Sequence, residues 1–305
     1  MSALDRGARG AATIRAAMTE RRTIIALGAH DALSAALIER FGFEAVYVGS
    51  YTTEAAAHLH PDVGLMSKSD RRDIVASIAR AVEVPVFADI EEGWGGPIAV
   101  VSAIQEFEAA GAAMVHLDDQ ENPGICPYLP GVPPVNLIGT REMCAKIEAA
   151  VEAREGDLVI VARSDITGLV RNGAYTEDLR TEIVRRSNEY LAAGADAILI
   201  GTFSTDDIYW FADRINGPLI GLFEDALPHS VEAFTEAGYL MVLGPTLLLF
   251  AAIKGMSAAL EAFKTSGNWN ATRPFRVTAD EFYELIHWEV YQEILEKQNA
   301  STTRV

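Results

Sequence analysis

The sequence has few cysteines and a shortage of positive charge, and each shortage excludes a class of protein. It contains 2 cysteines, Cys126 and Cys144, and neither has a closely spaced cysteine or histidine partner, so we expect no disulfide framework and no zinc site. Lysine and arginine number 25 against 43 aspartates and glutamates, a net charge of −18. Because this charge repels phosphate backbones and anionic lipid, we expect no nucleic acid partner.

Long hydrophobic runs are also absent. The N-terminal segment carries arginines but lacks the apolar stretch of a secretory signal. The most apolar segment, residues 239–253, is too short to cross about 30 Å of hydrocarbon and is interrupted by Gly244 and Pro245. Since 50% of the residues are hydrophobic, a large core is expected. The sequence therefore predicts a globular protein without membrane segments, and its low cysteine content favours the reducing cytoplasm.

Eight short runs rich in Val, Ile and Leu alternate with helical segments. The runs are nearly continuous in hydrophobicity, which is typical of parallel strands buried on both faces. In helical segments apolar residues recur every four positions, as at Leu33, Leu37 and Phe41, which predicts one buried stripe per helix. The alternation predicts an α/β fold, a (β/α)8 TIM barrel over residues 1–265. A doubly wound open sheet is the alternative, but no G-x-G-x-x-G motif follows the first run. The runs are Thr23–Ala29, Ala45–Gly49, Val84–Ile90, Met114–Leu117, Leu158–Ala162, Ala197–Ile200, Leu219–Phe223 and Leu240–Leu243.

Two segments fall outside this alternation. Residues 119–137 are rich in proline and glycine and too long for an ordinary strand-to-helix connection, so we interpret them as a lid or binding loop. Residues 266–305 form a C-terminal extension, in which apolar residues recur every four positions within 278–297 and predict an amphipathic helix. This extra helix needs an apolar partner, which is either its own barrel or a neighbouring subunit.

Acidic side chains follow two neighbouring strands of the predicted barrel. Asp89 and Glu91 end the third strand, and Asp118 ends the fourth. The carboxyl ends of barrel strands meet at one mouth, where clustered carboxylates need a countercharge. Oxygen-ligated Mg2+, or Mn2+, would supply it. Asp89 and Glu91 lie two apart on a segment predicted to be extended, which would place both on one face. The alternative is that these acids cap helices or pair with an arginine.

Other side chains near this mouth are candidates for binding and catalysis. Arg163 ends the fifth strand and would grip a carboxylate through two N–H groups, or else pair structurally with Asp165 or the aspartate of strand four. Ser50 and the backbone amides on either side of it would hold a second carboxylate oxygen. Cys126 lies in the long loop and is either functional or a small hydrophobic residue. His116, inside the fourth strand, is interpreted as a buried supporting residue.

These residues in this order resemble the isocitrate lyase and phosphoenolpyruvate mutase superfamily, in particular its 2-methylisocitrate lyase-like members. The resemblance spans about residues 20–265 and rests on YVGSYTTEAAAHLHPDVGL, PVFADIEEGWGGP, AGAAMVHLDDQ, CPYLPG, VARSD and AGADAILI. It implies a barrel whose C-terminal helix swaps onto a partner subunit, commonly in a dimer of dimers. It also implies Mg2+ at the mouth and chemistry on 2-oxo or 2-hydroxy carboxylates through an enolate.

The resemblance also assigns roles to positions of this sequence. The lyases carry K-K-C-G-H in their gating loop, whereas residues 124–128 here keep only the cysteine. This implies Cys126 as general acid, with Tyr128 assisting and without neighbouring cations to lower the pKa of the thiol. The implied metal ligands are Asp89, Glu91 and Asp118, and Arg163 is implied in catalysis and in carboxylate binding. The implied substrate-binding residues are Tyr47, Gly49, Ser50, Tyr51, Asp62, Arg163, Thr202 and Leu222.

The sequence departs from the diacid lyases in the half of the site that holds the larger product. Thr202, Leu222 and Phe250 stand where those lyases place a glutamate, an asparagine and an arginine. We therefore expect a Mg2+-dependent carbon–carbon lyase that acts on a substituted 2-hydroxy or 2-oxo acid with a less polar leaving half and releases a small oxo acid. The alternatives are oxaloacetate hydrolysis or decarboxylation, phosphonopyruvate hydrolase or mutase chemistry, and a catalytically silent oligomeric barrel that binds a small oxo acid.

Overall fold

A computed structural model of the chain describes residues 2–170, 173–223 and 230–302. The chain divides into two compact units, Met1–Leu249 and Phe250–Val305. The second unit thus begins inside the helix α10, Leu247–Ser266. The predicted domain boundary between residues 265 and 266 stays a prediction.

In the described part of the first unit, eight parallel strands close into a barrel in chain order, with β8 paired to β1. Nearly every strand residue is buried, because helices cover the outside and side chains fill the inside. All eight predicted runs and the predicted barrel are therefore confirmed. The strands are β1 Ile24–Gly28, β2 Ala45–Val48, β3 Val86–Asp89, β4 Met114–Asp118, β5 Val159–Ser164, β6 Ala197–Ile200, β7 Leu219–Leu222 and β8 Met241–Gly244.

Helices separate successive strands. Two helices rather than one follow β2, and a short 3-10 helix at Asp165–Leu169 follows β5. The helices that begin in this unit are α1 Ala3–Glu20, α2 Ala32–Arg40, α3 Ser50–His58, α4 Lys68–Ala81, α5 Pro97–Ala109, α6 Thr140–Ala153, α7 Glu177–Ala192, α8 Thr205–Ala212, α9 Val231–Glu236 and α10. Within the described ranges, none of the helices combines the length and apolar character needed to cross a membrane.

The strand pattern does not predict α1, which fills one end of the barrel. Its Ala11, Ile14 and Ala17 belong to the same buried cluster as Met114 and Met241, the first residues of β4 and β8. These strand residues lie at the N-terminal ends of the strands. The helix thus covers that end with small and apolar side chains, and the polar side chains of the opposite end remain available for chemistry.

The buried stripe predicted for α2 is wrong. Leu33 is 47% exposed and Phe41 is 77% exposed. The buried side chains of this helix are Ser34, Ala35 and Ile38. Two of these are small and allow close approach of the helix, so the spacing of the large apolar residues does not mark the contact face.

The second unit contains the C-terminal helices. The single helix predicted within 278–297 is instead two helices, α11 Ala279–Leu285 and α12 Trp288–Thr302. They are separated at His287, which adopts a left-handed φ of 53°. Their large apolar side chains are exposed, including Phe282, Val290 and Ile294.

Candidate active site

Residues of β3 and β4 form a first cluster at the barrel mouth, the aspartate group of Asp89, His116 and Asp118. Strand register pairs Asp89 with His116, and Asp118 with Arg163. His116 Nδ1 lies 2.8 Å from Asp118 Oδ1, and its Nε2 lies 3.0 Å from the hydroxyl of Tyr47. Burial lowers the pKa of His116 to about 4, so the neutral ring donates to Asp118 and accepts from Tyr47. His116 is fully buried, as predicted, and it orients both neighbours.

The carboxylate of Asp89 lies at the start of α3. Its Oδ2 accepts from the backbone N–H of Ser50 at 3.0 Å, and its Oδ1 accepts from that of Glu91 at 2.8 Å. The positive end of a helix stabilises a carboxylate. Burial alone would raise the pKa of Asp89, but the His116 ring, which is protonated at the low pH where such a carboxyl titrates, and then Arg71 and Arg163 outweigh burial and hold the pKa below its ordinary value. Asp89 is therefore ionised at neutral pH.

A second cluster, the glutamate group of Glu54, Asp62 and Glu91, surrounds Arg71. Arg71 Nη2 donates to Glu91 Oε1 at 2.7 Å and lies 3.5 Å from Glu54 Oε1. Ser50 Oγ donates to Asp62 Oδ2 at 2.7 Å. Burial, reinforced by the charge of Asp89, raises the pKa of Asp62 to about 6. The guanidinium of Arg71 thus pairs with two buried carboxylates, those of Glu54 and Glu91.

The extended conformation predicted for residues 89–91 is wrong. β3 ends at Asp89, and Glu91 adopts a φ of 51°, in the left-handed region that residues with a side chain rarely adopt. The carboxylate of Glu91 therefore contacts Arg71 and joins the glutamate group, while Asp89 joins the aspartate group. The role of Glu91 as a metal ligand stays a prediction, as do the roles of Asp89 and Asp118.

The charge of the two groups is suited to a divalent cation. Burial raises the pKa of Glu91 and of Asp118 well above the ordinary range. The charge of Asp89 adds to the shift of Glu91, and the charges of Asp165 and Asp89 add to that of Asp118. A raised pKa means that the ionised form of these two carboxyls is disfavoured without a further countercharge, which a divalent cation would supply. Within each group the ligand atoms lie within 4.8 Å of one another. Both nitrogens of His116 already have hydrogen-bond partners, which leaves carboxylate oxygens as the available ligand atoms, and Mg2+ prefers such ligands.

Arg163 lies between two aspartates at the end of β5. Its Nε donates to Asp165 Oδ1 at 2.8 Å, and its Nη1 lies 3.8 Å from Asp118 Oδ2. Both of the structural partners considered from the sequence are therefore present. Because a guanidinium carries five N–H donors, these contacts still leave donors for a substrate carboxylate. That binding role stays a prediction.

The loop at residues 119–137 brings Cys126 to the same mouth. The backbone N–H of Cys126 donates to the carbonyl oxygen of Asp62 at 3.1 Å. Burial, with a contribution from the charge of Asp62, raises the pKa of the thiol above its ordinary value. The sulfur is therefore protonated at neutral pH. Tyr128, two residues further on, is half-buried and packs against the inner core of the barrel.

The remaining predicted substrate residues lie at strand ends. Ser50 donates its backbone N–H to Asp89 and its hydroxyl to Asp62, so both of the donors predicted to bind a substrate carboxylate are hydrogen-bonded to acidic side chains in this structure. Thr202 follows β6 and Leu222 ends β7, and both are buried. Substrate contacts of these residues, and of Tyr47, Gly49 and Tyr51, stay predictions.

Comparison with known proteins places the chain in a family. Residues 14–264 match the family model for phosphoenolpyruvate phosphomutase. The chain belongs to this family. It is 32% identical to 2-methylisocitrate lyase of Aeropyrum pernix over 95% of this chain and 90% of that protein. It is 32% identical to 2,3-dimethylmalate lyase of Eubacterium barkeri over 96% and 99% of the two chains. The predicted superfamily is confirmed, and these relatives are named lyases, as the predicted enzyme class requires.

Solved structures of phosphomutase-family proteins have the same fold. A phosphoenolpyruvate phosphomutase from Streptomyces platensis subsp. rosaceus has a TM-score of 0.86 at 29% identity and covers 94% of this chain and 99% of its own. A phosphonopyruvate hydrolase in complex with oxalate and Mg2+ has a TM-score of 0.81 at 27% identity, with 96% and 98% covered. The relatives named here are thus lyases, a phosphomutase and a hydrolase, and the two solved structures share the fold of this chain.

Arg71 and Glu54 are the site residues that our sequence reasoning missed. In the sequence Arg71 lies in a charged run typical of a solvated helix face, and no motif marks Glu54. The buried residues of α4 are Arg71, Val75, Ile78 and Ala79. Arg71 therefore falls on the apolar stripe at helical spacing, and that position was the signal available in the sequence.

We predict that Arg71→Met lowers the free energy of unfolding by about 3 to 5 kcal/mol, because it leaves buried carboxylates without their cation. The side chain is fully buried and contacts Glu54 and Glu91. The change is measured by urea denaturation in Mg2+-free buffer. The matched control is Arg72→Met, one position along the same helix, where the side chain is about a third exposed and pairs at the surface. Equal midpoints for the two variants would contradict the prediction.

Proposed function

We propose that this member of the phosphomutase family is a Mg2+-dependent lyase. It cleaves a carbon–carbon bond in an alkyl-substituted 2-hydroxy or 2-oxo acid and releases a small oxo acid. The observation that carries the proposal is the placement of a protonated thiol, Cys126, beside Asp62 at a mouth that also holds the aspartate group and Arg163. A proton donor, a cation site and a carboxylate-binding arginine are the parts that such a cleavage needs.

In the proposed reaction, each group at the barrel mouth has a separate role. Asp89 and Asp118, with Glu91 nearby, would hold a divalent cation, and that cation would supply positive charge where negative charge develops on substrate oxygens. Arg163 binds the carboxylate of the part released as oxo acid. In a 2-hydroxy acid, the substrate hydroxyl loses its proton to a carboxylate of the mouth as the carbon–carbon bond breaks, and the electron pair of that bond stays on the carbon of the leaving half. A 2-oxo acid would first add water to its carbonyl group, which supplies the hydroxyl for the same step. Cys126 Sγ then gives its proton to the carbon of the leaving half, so the products are an oxo acid and a protonated leaving acid.

The leaving half is expected to be an alkylated carboxylate. Thr202 and Leu222 supply a hydroxyl and an apolar side chain where the diacid lyases place charged or amide groups, and both are buried. A buried polar substrate group without a partner costs roughly 1 to 3 kcal/mol, so a tricarboxylic substrate would be disfavoured here. The similarity to a 2,3-dimethylmalate lyase supports this choice, because methyl groups replace a carboxylate arm in such a substrate.

A turnover screen in the presence of Mg2+ tests this function. We expect release of pyruvate or glyoxylate from alkyl-substituted malates, faster than from isocitrate by roughly 10-fold or more for one unpaired polar group. The panel also contains oxaloacetate and phosphonopyruvate. Faster turnover of either of these would replace the lyase with a hydrolase, a decarboxylase or carbon–phosphorus chemistry. No turnover together with Mg2+-dependent oxalate binding would favour the silent barrel.

The protein is further proposed to be a cytoplasmic homo-oligomer, with its C-terminal helix exchanged between subunits. The exposed apolar side chains of α11 and α12 support this, since such a surface needs a partner. Light scattering should give a multiple of the 33.0 kDa chain mass, four-fold for a dimer of dimers. A monomer in solution would contradict the exchange.

A further inference from the structure

We propose that Gln120 is a positioning residue that couples the seating of the 119–137 loop to the orientation of Arg163. The inference rests on the proposed function, in which Arg163 binds a carboxylate and the loop carries the proton donor. Gln120 lies two residues beyond Asp118 and is 4% exposed. Its Oε1 accepts from the backbone N–H of Ile125 at 2.9 Å, and its Nε2 donates to the carbonyl of Ile125 at 3.1 Å. One side-chain amide thus holds both backbone groups of the residue before Cys126.

The same amide reaches Arg163 through one carboxylate. Gln120 Nε2 donates to Asp165 Oδ2 at 2.6 Å, and Asp165 Oδ1 accepts from Arg163 Nε at 2.8 Å. One oxygen of the Asp165 carboxylate therefore contacts Gln120, and the other contacts Arg163. Asp165 is 1% exposed, and its backbone N–H donates to Asp119 Oδ1 at 2.8 Å. The backbone of Asp165 is held in place by Asp119, so only its carboxylate can rotate. Loss of the contact with Gln120 therefore changes the orientation of the oxygen that accepts from Arg163.

Two loop residues, Val135 and Tyr128, pack against glycines of the barrel, at Gly168 and Gly201, where a side chain would not fit. A Cβ at Gly168 would lie 2.5 Å from Val135 Cγ2 of the loop, and a Cβ at Gly201 would lie 2.5 Å from the Tyr128 hydroxyl. A second anchor is the hydrogen bond from Asn122 Nδ2 to Glu92 Oε1. This bond has no contact with Asp165 or Arg163 among the contacts of the described residues. Of these two side-chain anchors, that of Gln120 is connected to Arg163 through Asp165, and that of Asn122 is not.

The consequence is reciprocal coupling. If the part of the loop around Ile125 moves away from Gln120, the Gln120 amide loses both of its hydrogen bonds to Ile125. Asp165 then has a less well-ordered donor, and Arg163 loses part of its support. A carboxylate bound by Arg163 then favours the seated loop, and the seated loop favours carboxylate binding by the same factor. Bound substrate would thereby bring Cys126 into place.

Gln120→Met and Asn122→Ala separate coupling from simple loosening of the loop. Gln120→Met keeps the shape of the side chain and removes its three hydrogen bonds. Asn122→Ala removes only the hydrogen bond from Asn122 to Glu92. The first readout is the affinity for oxalate with Mg2+, measured by calorimetry. The second is the alkylation rate of Cys126 by iodoacetamide, measured by mass spectrometry, with Cys144 on α6 as an internal reference. Neither readout requires turnover.

We expect both variants to speed alkylation of Cys126 relative to Cys144. Only Gln120→Met should weaken oxalate binding, by about 10-fold or more, as expected for lost hydrogen bonds to a charged group, and Asn122→Ala should stay within about 2-fold. Oxalate should also protect Cys126 strongly in the wild type and weakly in Gln120→Met. If Gln120→Met is unstable, Gln120→Glu replaces it, since it keeps an oxygen for the Ile125 N–H but sets an oxygen against Asp165.

Two outcomes would overturn the coupling. One is unchanged oxalate affinity in the Gln120 variant, and the other is an equal loss in both variants, which would reflect loosening alone. A wild-type protein that does not bind oxalate with Mg2+ would instead refute the proposed site, and the coupling with it. Failure of the turnover screen with oxalate binding intact would affect the proposed reaction only.

Discussion

Asp89→Asn is expected to lower turnover of the best substrate by about 10³-fold or more and to weaken Mg2+ binding in parallel. The change keeps the size of the side chain but removes the buried negative charge that Asp89 contributes to the aspartate group at the start of α3. Loss of a single preorganised electrostatic group in an active site costs about 10²- to 10³-fold, and loss of the cation adds to this. Steady-state kinetics and calorimetric Mg2+ titration measure the two effects.

Asp196→Asn is the matched control for Asp89. Asp196 precedes β6 at the other end of the barrel, where it pairs with Arg15 and Arg154. Its loss should reduce stability and leave Mg2+ affinity unchanged. An Asp89→Asn protein that retains wild-type Mg2+ affinity would exclude Asp89 from the cation site, and an equal loss of activity in both variants would point to folding rather than chemistry.

The residues at strand ends were predictable because strand position alone decides where they lie. Continuous apolar runs are typical of parallel strands, and the polar residue that ends each run must reach the barrel mouth. Asp118 and Arg163 are paired across β4 and β5, as that reasoning requires. The left-handed backbone conformation of Glu91, which replaces the predicted extended one, was not predictable in the same way. Only glycine signals that conformation in a sequence, and residue 91 is a glutamate.

The contacts that connect these residues depend on tertiary structure. Arg71 reaches Glu91 from α4, twenty positions away, and Gln120 reaches Asp165 from the end of β4, 45 positions away. A sequence shows neither the distance nor the competing partners of such a side chain. Arg71 could still have been suspected from its place on the buried stripe of α4. For Gln120, the position just after β4 predicts a place near the mouth, but no feature of the sequence indicates its contacts with Asp165 and Ile125.

Cys126→Ala is expected to lower kcat by about 10²- to 10⁴-fold, the usual contribution of a positioned general acid, and to leave oxalate affinity with Mg2+ within about 2-fold. The thiol gives its proton only as the bond breaks, so its loss affects the transition state and not the bound carboxylate. Cys126→Ser should recover part of kcat because a hydroxyl can also donate. Cys144→Ala, at the protein's second cysteine, is the matched control and should retain full activity.

The pH dependence of the wild type distinguishes an acid from a nucleophile at this position. Burial and Asp62 keep the pKa of the Cys126 thiol above its ordinary value, so the protonated form persists through neutral and mildly alkaline pH. A general acid with that property gives no loss of kcat between about pH 7 and 9 from its own ionisation. A kcat that rises through this interval and loses the rise in Cys126→Ala would indicate a reactive thiolate. A Cys126→Ala enzyme with kcat near the wild-type value would exclude the thiol as proton donor and leave Tyr128 as the donor to test.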